Sequence, residues 1–289
     1  MAALTPKHEL PWTSTEAWVR VVSYYILLLA LMLSLQLGLG GLTREWVKND
    51  FAVANVLAGV IGIIGIGLTF LFLKFDGRPM RQIGVFLPSG LVVLTIVGLL
   101  ATPVALAFTY LIEWLGGVVD FDQMWRDRIT DPVLFALRAL IVLVGIGVGE
   151  ELMFRGYLQR VLESQLSFWK ASAITAVAFG LLHSFLYTSA IENVVYKMVA
   201  IGCSATIFGF VFSYAYKMTG RNLYLPILIH GLWDILIFYW NTAFVYNDFV
   251  MVAVEIFSQV VAAAIFFLFL LLLQKFYEPQ EVLKAWNEE

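Results

Sequence analysis

Eight stretches of the 289-residue chain, at 21–39, 51–73, 91–112, 133–160, 171–190, 198–216, 223–244 and 249–273, are mainly apolar. Each is close to the roughly 20 residues that a helix needs to cross a hydrocarbon core. Such a pattern leaves few folds open. In lipid every backbone N–H and C=O must find its partner inside the protein, so only helices or a closed barrel can span. No segment alternates apolar and polar residues for long enough to make barrel strands. The expectation is therefore a single all-α, multi-pass domain over 1–289, with eight transmembrane helices. Composition agrees, with 61% hydrophobic and only 13% charged residues. A net charge of -3 leaves no basic stripe, which excludes nucleic acid as a partner and leaves membrane lipid as the surrounding medium.

The flanking charges set the topology. Lys7, Arg20, Lys74, Arg78, Arg81 and, further on, Lys217, Arg221, Lys275 and Lys284 fall on the side of the N-terminus. The opposite side holds only Arg44, Lys48, Arg126, Arg128 and Lys197. Positive loops stay inside, so both termini are expected in the cytoplasm. Residues 1–20 lack a small-residue cleavage site after a short apolar core, and no removable signal peptide is expected. Gly59, Gly62, Gly65 and Gly67 read as close-packing positions between helices. Phe238, Tyr239, Trp240 and Tyr246 read as an interfacial aromatic belt. Arg138 is expected to reach Asp131 near a span end, Glu255 to sit near another, and the loop from Glu113 to Pro132 to be a solvated connection. The lone Cys203 reads as a small buried hydrophobe.

Against this apolar background the run Gly149-Glu150-Glu151-Leu152-Met153-Phe154-Arg155-Gly156 stands out, because it places three ionisable groups inside a span. Such groups are rare at bilayer depth and mark function by default. Two of the chain's three histidines, His183 and His230, also lie inside spans, and Asp234 follows His230 by four residues. His8 lies in the polar N-terminal tail and reads as incidental. At 1.5 Å per residue Glu150 lies about 15 Å from the end near Arg160, His183 about 18 Å in from Ala171, and His230 and Asp234 about 10 and 16 Å in from Leu223. All of them can meet at one level, in a polar cavity between the fourth, fifth and seventh helices.

Helical phase separates their roles. Glu151 and Arg155 share a face, with the glutamate N-terminal to the cation, and form an internal brace. Glu150 points about 100° away from Glu151, free to take a proton from water as a general base. His230 and Asp234 share a face of the seventh helix. His230 can donate to a developing oxyanion while Asp234 orients it. The same Glu150, His183 and His230 are also zinc-ligand types, although H-E-x-x-H is absent. Buried carboxylates and imidazoles serve proton-coupled transporters as well, but paired inverted repeats are missing.

Glu150-Glu151-x-x-x-Arg155, Phe179-x-x-x-His183 and His230-x-x-x-Asp234, in this order on successive helices, resemble the CAAX protease and bacteriocin-processing (Rce1-like) family of intramembrane glutamate endopeptidases. The similarity is carried by a core region at about 133–245, and Arg81-Gln82-Ile83-Gly84-Val85 is similar to a short element this family has before its third span. The resemblance implies that Glu150 and His183 activate a water for attack on a peptide carbonyl, with His230 and Asp234 on the oxyanion side. It implies a peptide or protein substrate, lipidated in some members, no resident cofactor, and a site in the cytoplasmic half of what is expected to be a prokaryotic plasma membrane. The family's range also includes immunity proteins, which keeps a non-catalytic scaffold open. Many members carry asparagine at the last position. Asp234 stands here instead, and an ionised aspartate accepts hydrogen bonds without donating them.

Overall fold

The computed structural model describes residues 13–49, 51–119, 132–186, 194–240 and 249–279. Helices make up the described residues, with no strand among them. Eight long helical runs follow in order: α1 (Ser14–Asn49), α2 (Phe51–Asp76), α3 (Leu91–Leu115), α4 (132–163), α5 (Phe168–Leu186), α6 (Val194–Met218), α7 (Tyr224–Trp240) and α8 (Phe249–Leu273). A 3-10 turn, Met80–Ile83, lies between α2 and α3.

Five of these helices are long and apolar enough to cross a membrane: the segments Ser14–Leu35, Gly59–Asp76, Leu91–Leu115, Met198–Met218 and Phe249–Leu273. The protein is an integral, multi-pass membrane protein. The remaining three, α4, α5 and α7, carry Glu150, Glu151, Arg155, His183, His230 and Asp234. Of these, α7 is apolar but shorter, over Tyr224–Ile237. Large apolar side chains on the outside, such as Phe70, Val92, Val250 and Phe276, give the surface its lipid-compatible character.

Two apolar clusters organise the interior. One joins α1, α2, α4 and α5 around Tyr24, Phe154, Tyr157 and Phe179. The other joins α3, α6, α7 and α8 around Phe208, Phe212, Trp233 and Phe266. Between them runs α4, which is not uniformly α-helical. Two π-helical stretches, Val142–Val148 and Leu152–Gln159, flank the single α turn Gly149–Glu151. Such stretches disturb the regular ladder and concentrate at functional sites. The one-period phase expected for this helix is thus altered on both sides of the glutamate pair.

Glycine allows this helix to sit so deep. A Cβ on Gly62 would collide with the backbone of Gly145, and one on Gly145 with the backbone of Gly59, so α2 and α4 touch main chain to main chain. On the opposite side a Cβ on Gly147 would lie 3.1 Å from Gly231 Cα of α7. Gly65 meets the side chain of Met153. Gly67 departs from the expected packing role, since nothing lies within 4 Å of the place its Cβ would take. At one end of the bundle the turn at Met80–Ile83 is fastened by Tyr216 Oη to Ile83 O at 3.2 Å, Leu223 N to Gly84 O at 3.0 Å and Arg160 Nε to Gln82 O at 3.2 Å.

One expectation about outer acidic residues is corrected. Glu113 belongs to α3 rather than to a solvated loop, and it is fully buried. Glu255 is buried too, 6% exposed, with Gln259 Nε2 donating to it at 3.1 Å. The reason is tertiary: α8 packs on α3 and α6 and closes over both carboxyls. Cys203 is half-buried. Asp131 and most of the 113–132 connection lie outside the described residues, as do the side chains of Phe238, Tyr239, Trp240 and Tyr246.

Candidate active site

The turn Gly149–Glu151 puts its two carboxylates on different sides of α4, and each meets a different set of partners. Glu151 Oε1 accepts from Arg155 Nη1 at 3.0 Å and from the ring nitrogen Nδ1 of His230 at 2.7 Å. Both Glu151 and Arg155 side chains are wholly buried. Arg155 also donates through Nη2 to the carbonyl of Gly209 on α6, at 3.0 Å. Its guanidinium lies over the rings of Phe179 and Phe212, at 4.6 and 5.1 Å from their centroids. A buried charge is tolerable only when paired and hydrogen-bonded. Here an ion pair, a carbonyl and two aromatic faces supply that pairing.

The carboxylate of Glu150 faces the other way. Its Oε2 is buried and receives no hydrogen bond, yet it lies 3.6 Å from His183 Nε2 and 3.8 Å from His230 Nε2. Both distances exceed a direct hydrogen bond. Neither imidazole nitrogen is therefore bonded directly to this oxygen. Carboxylate and imidazoles therefore converge from α4, α5 and α7 on one point.

The rings are turned so that their Nε2 atoms face this point. His183 Nδ1 lies 2.9 Å from Phe179 O, one helical turn back, and a carbonyl can only accept, so Nδ1 carries the proton. His230 Nδ1 faces the Glu151 carboxylate, which imposes the same tautomer or the doubly protonated ring. Phe212 stacks on His230 at 4.5 Å with planes 19° apart, and Phe179 packs on His183 at 4.3 Å. Asp234 Oδ2 lies 3.5 Å from His230 Nε2. The short bond to this imidazole thus comes from Glu151 and not from the aspartate four residues on.

All six residues singled out in the sequence are brought together. Their exposure divides them into two groups. Glu150, His183 and Asp234 side chains are 11%, 14% and 18% exposed, whereas Glu151 and Arg155 are at 0% and His230 at 4%. Only the first three reach towards the outside. Sequence reasoning did not find the contribution of α6: Gly209 acts through a backbone carbonyl and Phe212 through an aromatic face, and neither leaves a signature in a run of apolar residues. Among the described residues no group of three or more His, Cys, Asp or Glu is arranged to hold a metal ion.

Comparison with known families addresses the same part of the chain. Residues 132–236 match the family described as Type II CAAX prenyl endopeptidase Rce1-like. This segment is similar to an Rce1-like domain. It covers somewhat over a third of the chain and runs from the start of α4 into α7, so every one of the six site residues falls inside it. No curated protein and no solved structure matches the chain.

Proposed function

We propose that the protein is an intramembrane endopeptidase of the CAAX-protease type, with Glu150 as its general base. The observation that carries this reading is the Oε2 atom of Glu150, which takes no hydrogen bond and faces two imidazole nitrogens at 3.6 and 3.8 Å. A water between them gives one proton to Glu150 and directs the other to His183 Nε2, which leaves an oxygen lone pair free to attack a peptide carbonyl carbon. The C–O bond forms, the carbonyl π pair moves to oxygen, and His230 donates Nε2–H to the resulting oxyanion. For this His230 is doubly protonated, with Nδ1–H retained by Glu151. The proton taken up by Glu150 then passes to the leaving amine as the C–N bond breaks. Asp234 is the acceptor beside His230 Nε2 that yields to the oxyanion.

The matched family's name carries the substrate class: a protein or peptide ending in a CAAX motif bearing a prenyl group. A helical segment has its carbonyls already hydrogen-bonded, so the cleaved stretch enters extended or unwound. Cleavage is assigned to the cytoplasmic half of a prokaryotic plasma membrane, with both termini in the cytoplasm. The test is Glu150→Gln in the full chain reconstituted in vesicles, assayed on a farnesylated CAAX peptide and, in cells, on the whole proteome. Loss of cleavage with the protein still inserted supports the reading. Wild-type trimming by the variant overturns it.

A further inference from the structure

Beyond Glu151 and Arg155, α4 carries two more buried polar side chains in the same four-residue rhythm, Gln159 and Glu163. Gln159, at 0% exposure, donates Nε2–H to Glu163 Oε1 at 2.9 Å and accepts at Oε1 from Ser213 Oγ of α6 at 2.8 Å. Its orientation is forced: a carboxylate accepts only, so the amide nitrogen must face Glu163 and the amide oxygen Ser213. Ser213 Oγ lies equally close, 2.8 Å, to the carbonyl of Gly209. That is the carbonyl to which Arg155 donates. At the far end Arg221 Nε donates to Glu163 Oε2 at 2.7 Å, and Arg221 is the single non-glycine residue with positive φ, 61°, among the described residues.

A continuous line of polar contacts therefore runs from the α6–α7 turn to the imidazole of His230. Its critical point is Ser213, which has one hydroxyl proton and two acceptors. Given to Gln159 Oε1, that proton leaves the two lone pairs of Gly209 O to its helical N–H donor and to the guanidinium. Given to Gly209 O, it competes with Arg155. Protons do not travel along this line, because an arginine stays protonated and an amide neither takes nor releases a proton readily. What it transmits is position.

We infer that Gln159 and Ser213 are positioning residues for the candidate active site: they hold Gly209 and Arg155 in register, and through Arg155 the Glu151 carboxylate that keeps His230 turned. The catalytic consequence rests on the peptidase reading, while the geometry stands without it. Two variants test it, Ser213→Ala, which deletes one oxygen, and Gln159→Met, which keeps length and removes both polar atoms. With 15N-histidine labelling the chain's three histidines give three sets of ring signals, and His230 is assigned by its loss in His230→Gln. In the wild type His230 reads as protonated at Nδ1. In both variants its signals move towards a mixture of ring states, and kcat on the farnesylated CAAX peptide falls about tenfold with KM unchanged. The double variant falls no further than either single one, as expected for one chain of contacts. Unmoved His230 signals, or a multiplicative loss in the double variant, overturn the inference. If Gln159→Met does not fold, Ser213→Ala decides alone. Cleavage retained by Glu150→Gln defeats the peptidase reading, whereas the nitrogen signals still decide the positioning role.

Discussion

Among the described residues two clusters of buried acidic side chains invite comparison, and only one of them has the makings of a catalyst. Between α3, α6 and α8, Glu113 accepts from Ser258 Oγ at 2.7 Å and Gln259 Nε2 at 3.3 Å, and Glu255 from Gln259 at 3.1 Å and Ser204 Oγ at 3.4 Å. Those donors are hydroxyls and an amide, which offer a hydrogen bond but do not take up a proton in the neutral range. Between α4, α5 and α7, Glu150 faces two imidazoles, the one side chain suited to proton exchange there. Burial of a carboxylate is common to both clusters. What separates them is the kind of nitrogen or oxygen that α5 and α7 bring, together with the partial exposure of Glu150, His183 and Asp234.

The sharpest way to break this comparison is Glu150→Gln. The amide keeps the volume and cannot act as a base, so cleavage of the farnesylated CAAX peptide should fall about a hundredfold to ten-thousandfold while thermal unfolding stays near wild type. Next comes Glu151→Gln, which leaves Arg155 buried without its counter-charge. Unfolding of the purified protein should show a loss of about 3–5 kcal/mol, and His230 should keep only a neutral amide oxygen in place of the carboxylate. His230→Ala removes the oxyanion donor and should lower kcat about a hundredfold to a thousandfold, measured on the same peptide. The smallest effect belongs to the other cluster. Glu113→Gln keeps an acceptor for Ser258 and adds a donor, so stability should change by only about 1 kcal/mol. Peptide cleavage by this variant should stay within about twofold of wild type, since its described partners, Ser258 and Gln259, belong to α8 and not to the α4–α5–α7 site. A large catalytic loss there would erase the distinction drawn between the clusters.

Much of the site was legible because its members are costly to bury and spaced by helical turns. Glu151 and Arg155 paired as their spacing required, and the depths counted for Glu150, His183 and His230 do bring them to one level. Less legible were the interactions made by groups that every residue carries. The carbonyl of Gly209 has no sequence signal, nor has the Phe179 O that sets the tautomer of His183. Gln159 and Ser213 are ordinary polar residues until α6 is seen beside α4. Glu113 misled for the complementary reason, since nearness to a helix end suggests solvent only when no other helix covers that end.

Periodicity and apolarity alone determined that this chain is helical and lives in a membrane, because lipid leaves the backbone no other way to satisfy its hydrogen bonds. They also marked which helices carry something other than packing. Which nitrogen of His230 faces Glu150, which carboxylate turns it, and which buried acid is merely enclosed were decided by how the helices pack against one another. Those are facts of a few tenths of an ångström between groups far apart in the chain, and hydrogen bonds read distance and direction, not order along the sequence.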